Sequence, residues 1–196
     1  MSFTYCFLDF LPKVPRELLD NYFNYSSGQQ LIKIDERIRT FNDGTTTIES
    51  DYERYEITGK LRTWLEFNIV RNPIDFGAAV NNINSSVCDG PIHLDYTRNY
   101  TLLYVITPGG DQVKTRFFQE PGYPLVREDI NVHVPPVDLT SYLLSKTFEE
   151  VDSVIIPHDR WCLLNVKTVH QVVGLTGPRN TIQISLGKDN KFVNNI

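Results

Sequence analysis

The chain is poor in cysteine. Cys6, Cys88 and Cys162 are an odd number at wide spacing, which argues against a disulfide framework or a thiolate metal cluster and reads as reduced, buried, inert thiols. No stretch approaches 18 uninterrupted apolar residues, so a membrane-spanning helix is excluded. Nothing basic precedes the first apolar residues, and Asp9 interrupts what would be the apolar run of a signal peptide, so the expected location is the cytoplasm. Basic residues are outnumbered, with 19 Lys and Arg against 24 Asp and Glu and a net charge of -5, which argues against a nucleic-acid partner because a phosphate backbone must be neutralised by clustered cations. No Gly-x-Ser-x-Gly occurs, which removes the usual serine-hydrolase turn. Internal repeats and low-complexity segments are also absent.

What is present suits a single domain spanning residues 1–196, with 41% apolar and 22% charged residues. After Pro15, the spacing of Leu18, Leu19, Tyr22 and Phe23 predicts a helix of about three turns ending near residues 26–28. A second helix is expected from Leu61, Trp64, Leu65 and Ile69, with Thr58 as its N-cap and Asn72-Pro73 as its stop. Residues 40–57 have the composition of a strand or hairpin, while 74–88 carry no decisive pattern. From residue 91 the chain turns to short β-rich runs, at 92–95, 101–106, 113–118, 153–156, 161–166, 168–173 and 181–186, with a strong turn at Pro108-Gly109-Gly110-Asp111. The expected fold is therefore mainly β with flanking helices, a two-sheet jelly roll with the N-terminal helices outside one sheet. Residues 120–140, rich in proline, form a long insertion and a candidate lid.

Of four histidines, only His93 is followed two residues later by a carboxylate, in His93-Leu94-Asp95. Side chains at i and i+2 of a strand project from one face, so this imidazole and carboxylate can converge on one ion. His170 lies in another predicted strand, and two imidazoles with one carboxylate suit Fe(II) with positions left for co-substrate and O2. Arg179 follows His170 by nine residues and opens the last strand. If the two strands are antiparallel neighbours, its guanidinium can enter the same cavity and grip a carboxylate bidentately. His133 and His158 read as solvated loop residues, and Arg98 as a solvated strand-edge residue.

In these elements the sequence resembles the 2-oxoglutarate/Fe(II) oxygenases, in particular the prolyl-hydroxylase-like branch. The resemblance covers residues 85–187 and includes Thr101-Leu-Leu-Tyr-Val-Ile-Thr-Pro-Gly-Gly110 and Trp161-Cys-Leu-Leu-Asn-Val-Lys-Thr-Val-His170. It implies a double-stranded β-helix core, with residues 1–80 as a mixed N-terminal part packing on the sheet. It further implies iron held by His93, Asp95 and His170, and 2-oxoglutarate gripped by Arg179 with assistance from Tyr104. The activity implied is that of a dioxygenase, hydroxylating a peptidyl residue or a small metabolite with release of succinate and CO2, and with ascorbate as an auxiliary reductant. The rival expectation is a cupin-like jelly roll in which the same side chains hold Zn or Mn without oxygenase activity.

Overall fold

Alternation along the strands decides what lies between two sheets and what lies outside them. The structure, a computed structural model, describes residues 3–23, 33–40, 46–81, 92–95, 97–127 and 146–196. In chain order the elements are β1 (Tyr5–Phe7), α1 (Arg16–Phe23), β2 (Lys33–Thr40), β3 (Thr46–Glu56), α2 (Gly59–Asn68), β4 (Asp75–Asn81), β5 (Tyr100–Pro108), β6 (Lys114–Gln119), β7 (Glu149–Val154), β8 (Trp161–Asn165), β9 (Val169–Val173), β10 (Arg179–Leu186) and α3 (Lys191–Asn194). A seven-stranded sheet runs β1-β8-β5-β10-β4-β3-β2, and a three-stranded sheet runs β7-β6-β9. All strand pairs are antiparallel. His93 extends the smaller sheet by a single bridge to His170.

Three apolar layers follow. Leu19, Leu61, Leu65 and Ile69 from the helical segments meet Leu102, Tyr104, Trp161, Leu163, Ile182 and Ile184 on the outer face of the large sheet. Leu103, Val105, Cys162 and Leu164 point the other way, to Phe117 and Val154 of the small sheet. Leu94, Phe118 and Val169 cover the far side of the small sheet. Cys162, at the centre of the inter-sheet layer, has its thiol pushed up to about 12, chiefly because burial disfavours the thiolate.

The architecture is the expected jelly roll with helices on one outer face. The hairpin expected within 40–57 is β2 paired with β3, and its first strand begins earlier than the residue pattern indicates. Part of the undecided segment is β4, placed between β10 and β3. The first 80 residues thus enter the large sheet as β1 to β4 besides packing on it. Thr58 is the N-cap of α2 by position, but its hydroxyl makes no capping bond. The expected strand at 153–156 runs instead over Glu149–Val154, where exposed carboxylates on an edge hid it. The end of the first helix, His133 and residues 128–140 of the proposed lid lie outside the described residues. The described ends bracketing that insertion are tied together, since Glu120 receives Arg127 at 2.7 Å and Lys146 at 3.1 Å. No helix of the described residues is long and apolar enough to cross a membrane.

Candidate metal and co-substrate site

The two histidines expected to share an ion do meet. His93 and His170 exchange both backbone hydrogen bonds at 2.9 Å, and their rings lie 4.1 Å apart between centroids, tilted by 54°. Ile92 and Leu94 pack into the apolar layer outside the small sheet, so alternation turns His93 and Asp95 inward. His170 is buried, with Phe117 directly opposite it in register and ring centroids 6.3 Å apart. Its Nδ1 faces the Thr168 carbonyl at 2.9 Å. A carbonyl only accepts, so Nδ1 carries a proton, and in the neutral ring the lone pair is then on Nε2, the arrangement that orients a metal-ligating imidazole.

Asp95 stands differently. Its backbone N–H donates to the Val166 carbonyl at 3.1 Å, and its Oδ2 accepts from Arg98 Nε at 2.9 Å and a second Arg98 nitrogen at 2.8 Å. Among the described residues, no three His, Cys, Asp or Glu side chains are grouped as an ion would need. The structure therefore brings the imidazoles together and holds the carboxylate two residues on against a guanidinium. Arg98 is no solvated edge residue, being only 10% exposed and also donating to Ser185 Oγ at 2.9 Å. The signal for it in the sequence was the Asp-x-x-Arg spacing, which lets one side chain fold back on the other.

Arg179 opens β10 opposite Asn81 and Pro108, and is buried. The turn at Pro108-Gly109-Gly110 seats it. The Gly109 carbonyl accepts from the backbone N–H of Thr176 at 2.8 Å and of Gly177 at 2.9 Å. Gly109 has φ +84°, and a Cβ there would come within 2.8 Å of Leu175 and 3.0 Å of Arg179 Cβ, so only glycine allows this approach.

Beyond Arg179 the alternation of β10 is inverted relative to an ordinary sandwich core. Ile182, Ile184 and Leu186 join the helix-side layer, which leaves Arg179, Thr181, Gln183 and Ser185 facing the small sheet. Thr181 and Ser185 are fully buried. Three side-chain atoms on this inward surface, Arg54 Nε, Thr101 Oγ1 and Gln183 Oε1, are buried without a hydrogen-bond partner among the described residues. Native interiors leave few polar atoms in that state, because each costs about 1–3 kcal/mol. The inter-sheet space at β10 is thus chemically suited to a polar, anionic ligand, and the paired imidazoles beside it are nitrogen donors of the kind that suit a divalent metal.

Tyr104 is not brought to this place. Its ring packs against Trp161 in the helix-side layer, with centroids 4.7 Å apart and planes tilted by 47°, and its hydroxyl donates to Asp159 at 3.2 Å. Burial, with the Asp159 carboxylate adding, pushes the phenol above its usual range. The neighbours that do face inward are Leu103 and Val105. His158 is exposed, with its ring 3.3 Å from the Asp159 carboxylate.

No family model matches the sequence, and no curated protein sequence matches it. Similarity is found in the fold. The non-heme alpha ketoglutarate dependent epimerase SnoN from nogalamycin biosynthesis superposes with a TM-score of 0.50 at 12% identity, covering 94% of this chain and 78% of that one. A prolyl hydroxylase from Trichoplax adhaerens, solved with a hypoxia inducible factor peptide fragment, gives 0.47 at 14% identity over 93% of this chain and 82% of its own. A Pseudomonas putida prolyl-4-hydroxylase gives 0.45 at 13% identity over 94% of each chain. The likeness is one of fold alone, that of a two-sheet jelly roll.

Proposed function

We propose that this chain is an Fe(II)- and 2-oxoglutarate-dependent oxygenase that hydroxylates a peptidyl residue or a small metabolite, with release of succinate and CO2. The observation that carries the reading is the pairing of two inward imidazoles with a buried, polar inner face of β10 that begins at Arg179. An apolar sandwich would place hydrocarbon at all of these positions.

His93, His170 and Asp95 would hold the iron. Bound iron supplies the O2 chemistry that protein side chains lack. The Thr168 carbonyl keeps the His170 lone pair on Nε2. Arg98 holds Asp95 through Oδ2, and a carboxylate has two oxygens, so a guanidinium on one and a cation on the other are compatible. Arg179 would pair with the far carboxylate of 2-oxoglutarate, while Leu103, Val105 and Phe117 would keep water from the reacting end.

Succinate formation tests this directly. Purified protein with Fe(II), 2-oxoglutarate, ascorbate and O2 should release succinate in a metal-dependent way, and pools of amino acids or short peptides should raise the rate when they contain the substrate. Lack of succinate above a metal-free control with every pool would overturn the assignment.

A further inference from the structure

We propose that Arg54 is a second anion anchor of this site, which receives a carboxylate of the substrate to be oxidised, so that the substrate class is a carboxylate-bearing molecule. This rests on the oxygenase reading, which supplies the metal and the co-substrate.

Arg54 lies on β3, in a stretch with Glu49, Glu53 and Glu56 whose composition reads in sequence as a strand or hairpin. In the fold it is 7% exposed, and its guanidinium lies flat over Gly77 of the neighbouring strand. A Cβ at residue 77 would come within 2.5 Å of Arg54 Cζ, so the space exists only because glycine stands there. Among the described residues, one terminal nitrogen makes three polar contacts, to the Asp75 carboxylate, to Ser185 Oγ at 3.3 Å and to the Gln183 carbonyl at 3.5 Å. Its Nε is buried and makes none among the described residues. An arginine presents five N–H donors in a fixed fork, and a purely structural pair would use both edges of it. Here an edge with an unused donor remains, on the same inward surface that carries Ser185 and Gln183.

Arg54 is also wired to the metal site. Ser185 Oγ accepts from Arg54 and, at 2.9 Å, from Arg98, and donates to Asp75 Oδ1 at 2.9 Å. Arg98 in turn holds Asp95. Two guanidinium groups and two carboxylates thus meet here among the described residues. This anchor is separate from the one at Arg179. Arg179 and Ser185 are six residues apart on an extended strand, about 20 Å, far longer than a five-carbon diacid. Asp75, the carboxylate partner of Arg54, has a side chain 35% exposed, so the pair lies at the edge of the buried surface. An incoming carboxylate accepts from Nε, the donor that Asp75 leaves unused.

The probes are N-acetylglycine, N-acetylaspartic acid α-amide and, as the neutral control, N-acetylasparagine amide. Each is added to full-length protein loaded with Mn(II) and saturating 2-oxoglutarate, and the broadening of its acetyl proton line is read. At least one acid should broaden fivefold or more above the neutral amide, and which acid does so separates a free acid from an acidic peptide side chain. Arg54→Gln should bring the acid down to the neutral level and leave 2-oxoglutarate affinity within about twofold of wild type. Arg54→Lys, which keeps the charge and spares the fold, should retain part of the effect. Thermal melting identifies any variant that fails to fold. Equal broadening of acid and amide, or an unchanged effect in a folded Arg54→Gln protein, would overturn the proposal. So would a tenfold loss of 2-oxoglutarate affinity in that variant, since Arg54 would then serve the co-substrate. Failure of the wild-type protein to bind 2-oxoglutarate at all is a separate result, which removes the oxygenase reading and the Arg54 role with it.

Discussion

Replacing His170 with alanine is expected to lower divalent-metal affinity by at least about a hundredfold, beyond the 10–100-fold typical of losing a partner that only orients a ligand. The reason is position. His170 is the buried member of the imidazole pair, and its ring is aimed by the Thr168 carbonyl so that Nε2 carries the lone pair. The backbone bonds between residues 93 and 170 do not depend on the side chain, so the pairing of the segments should survive. Far-ultraviolet circular dichroism should stay close to wild type while a Mn(II) titration followed by electron paramagnetic resonance shows the loss. A variant that bound Mn(II) as tightly as wild type would place the metal elsewhere. His158→Ala, at an exposed turn, serves as the control and should leave affinity unchanged.

The largest expected effect on stability is at Trp161. Its indole is buried against the Tyr104 ring, in the layer that joins the helices to the large sheet, and Nε1 donates to the Pro12 carbonyl at 2.9 Å. Truncation to alanine removes that packing, leaves a void and orphans the Pro12 acceptor, at a cost of about 3–5 kcal/mol. Trp161→Phe keeps the ring and loses mainly the hydrogen bond, so about 1–2 kcal/mol is expected. Chemical denaturation of the metal-free protein, with unchanged m values, gives both numbers. Equal small losses for both variants would mean that the helix layer contributes little to the stability of the sheet.

Tyr104 and Arg54 show where the sequence stops being informative. Along β5, Leu102, Leu103, Tyr104 and Val105 are all buried, because the strand has helices on one face and the small sheet on the other. With both faces apolar the period of two leaves no mark, and the parity of a strand cannot be read from its residues. β10 is the opposite case. Its Thr-Ile-Gln-Ile-Ser-Leu alternation survives because one face is polar, but the antiparallel pairing of the His170 and Arg179 strands expected from the sequence does not occur, since β9 and β10 lie in different sheets. His93-Leu94-Asp95 was legible for the same reason, with apolar Leu94 facing out between two polar neighbours. Arg54 was not, since its burial depends on Gly77 and Ser185, residues distant in the chain that only the pairing of β3, β4 and β10 brings beside it. Charged residues at the β7 edge likewise hide a strand from a hydrophobic pattern, because an edge need not be apolar.

The most direct test of the account is calorimetric titration of 2-oxoglutarate into the wild-type and Arg179→Met proteins, each with and without Mn(II). Binding should appear in the wild-type protein only when Mn(II) is present. Arg179→Met should weaken it by about 100-fold or more, as expected when a buried guanidinium loses its carboxylate partner. Binding that ignores the metal, or that is untouched when Arg179 is lost from a folded protein, would contradict the claim that the imidazole pair and the inner face of β10 form one site.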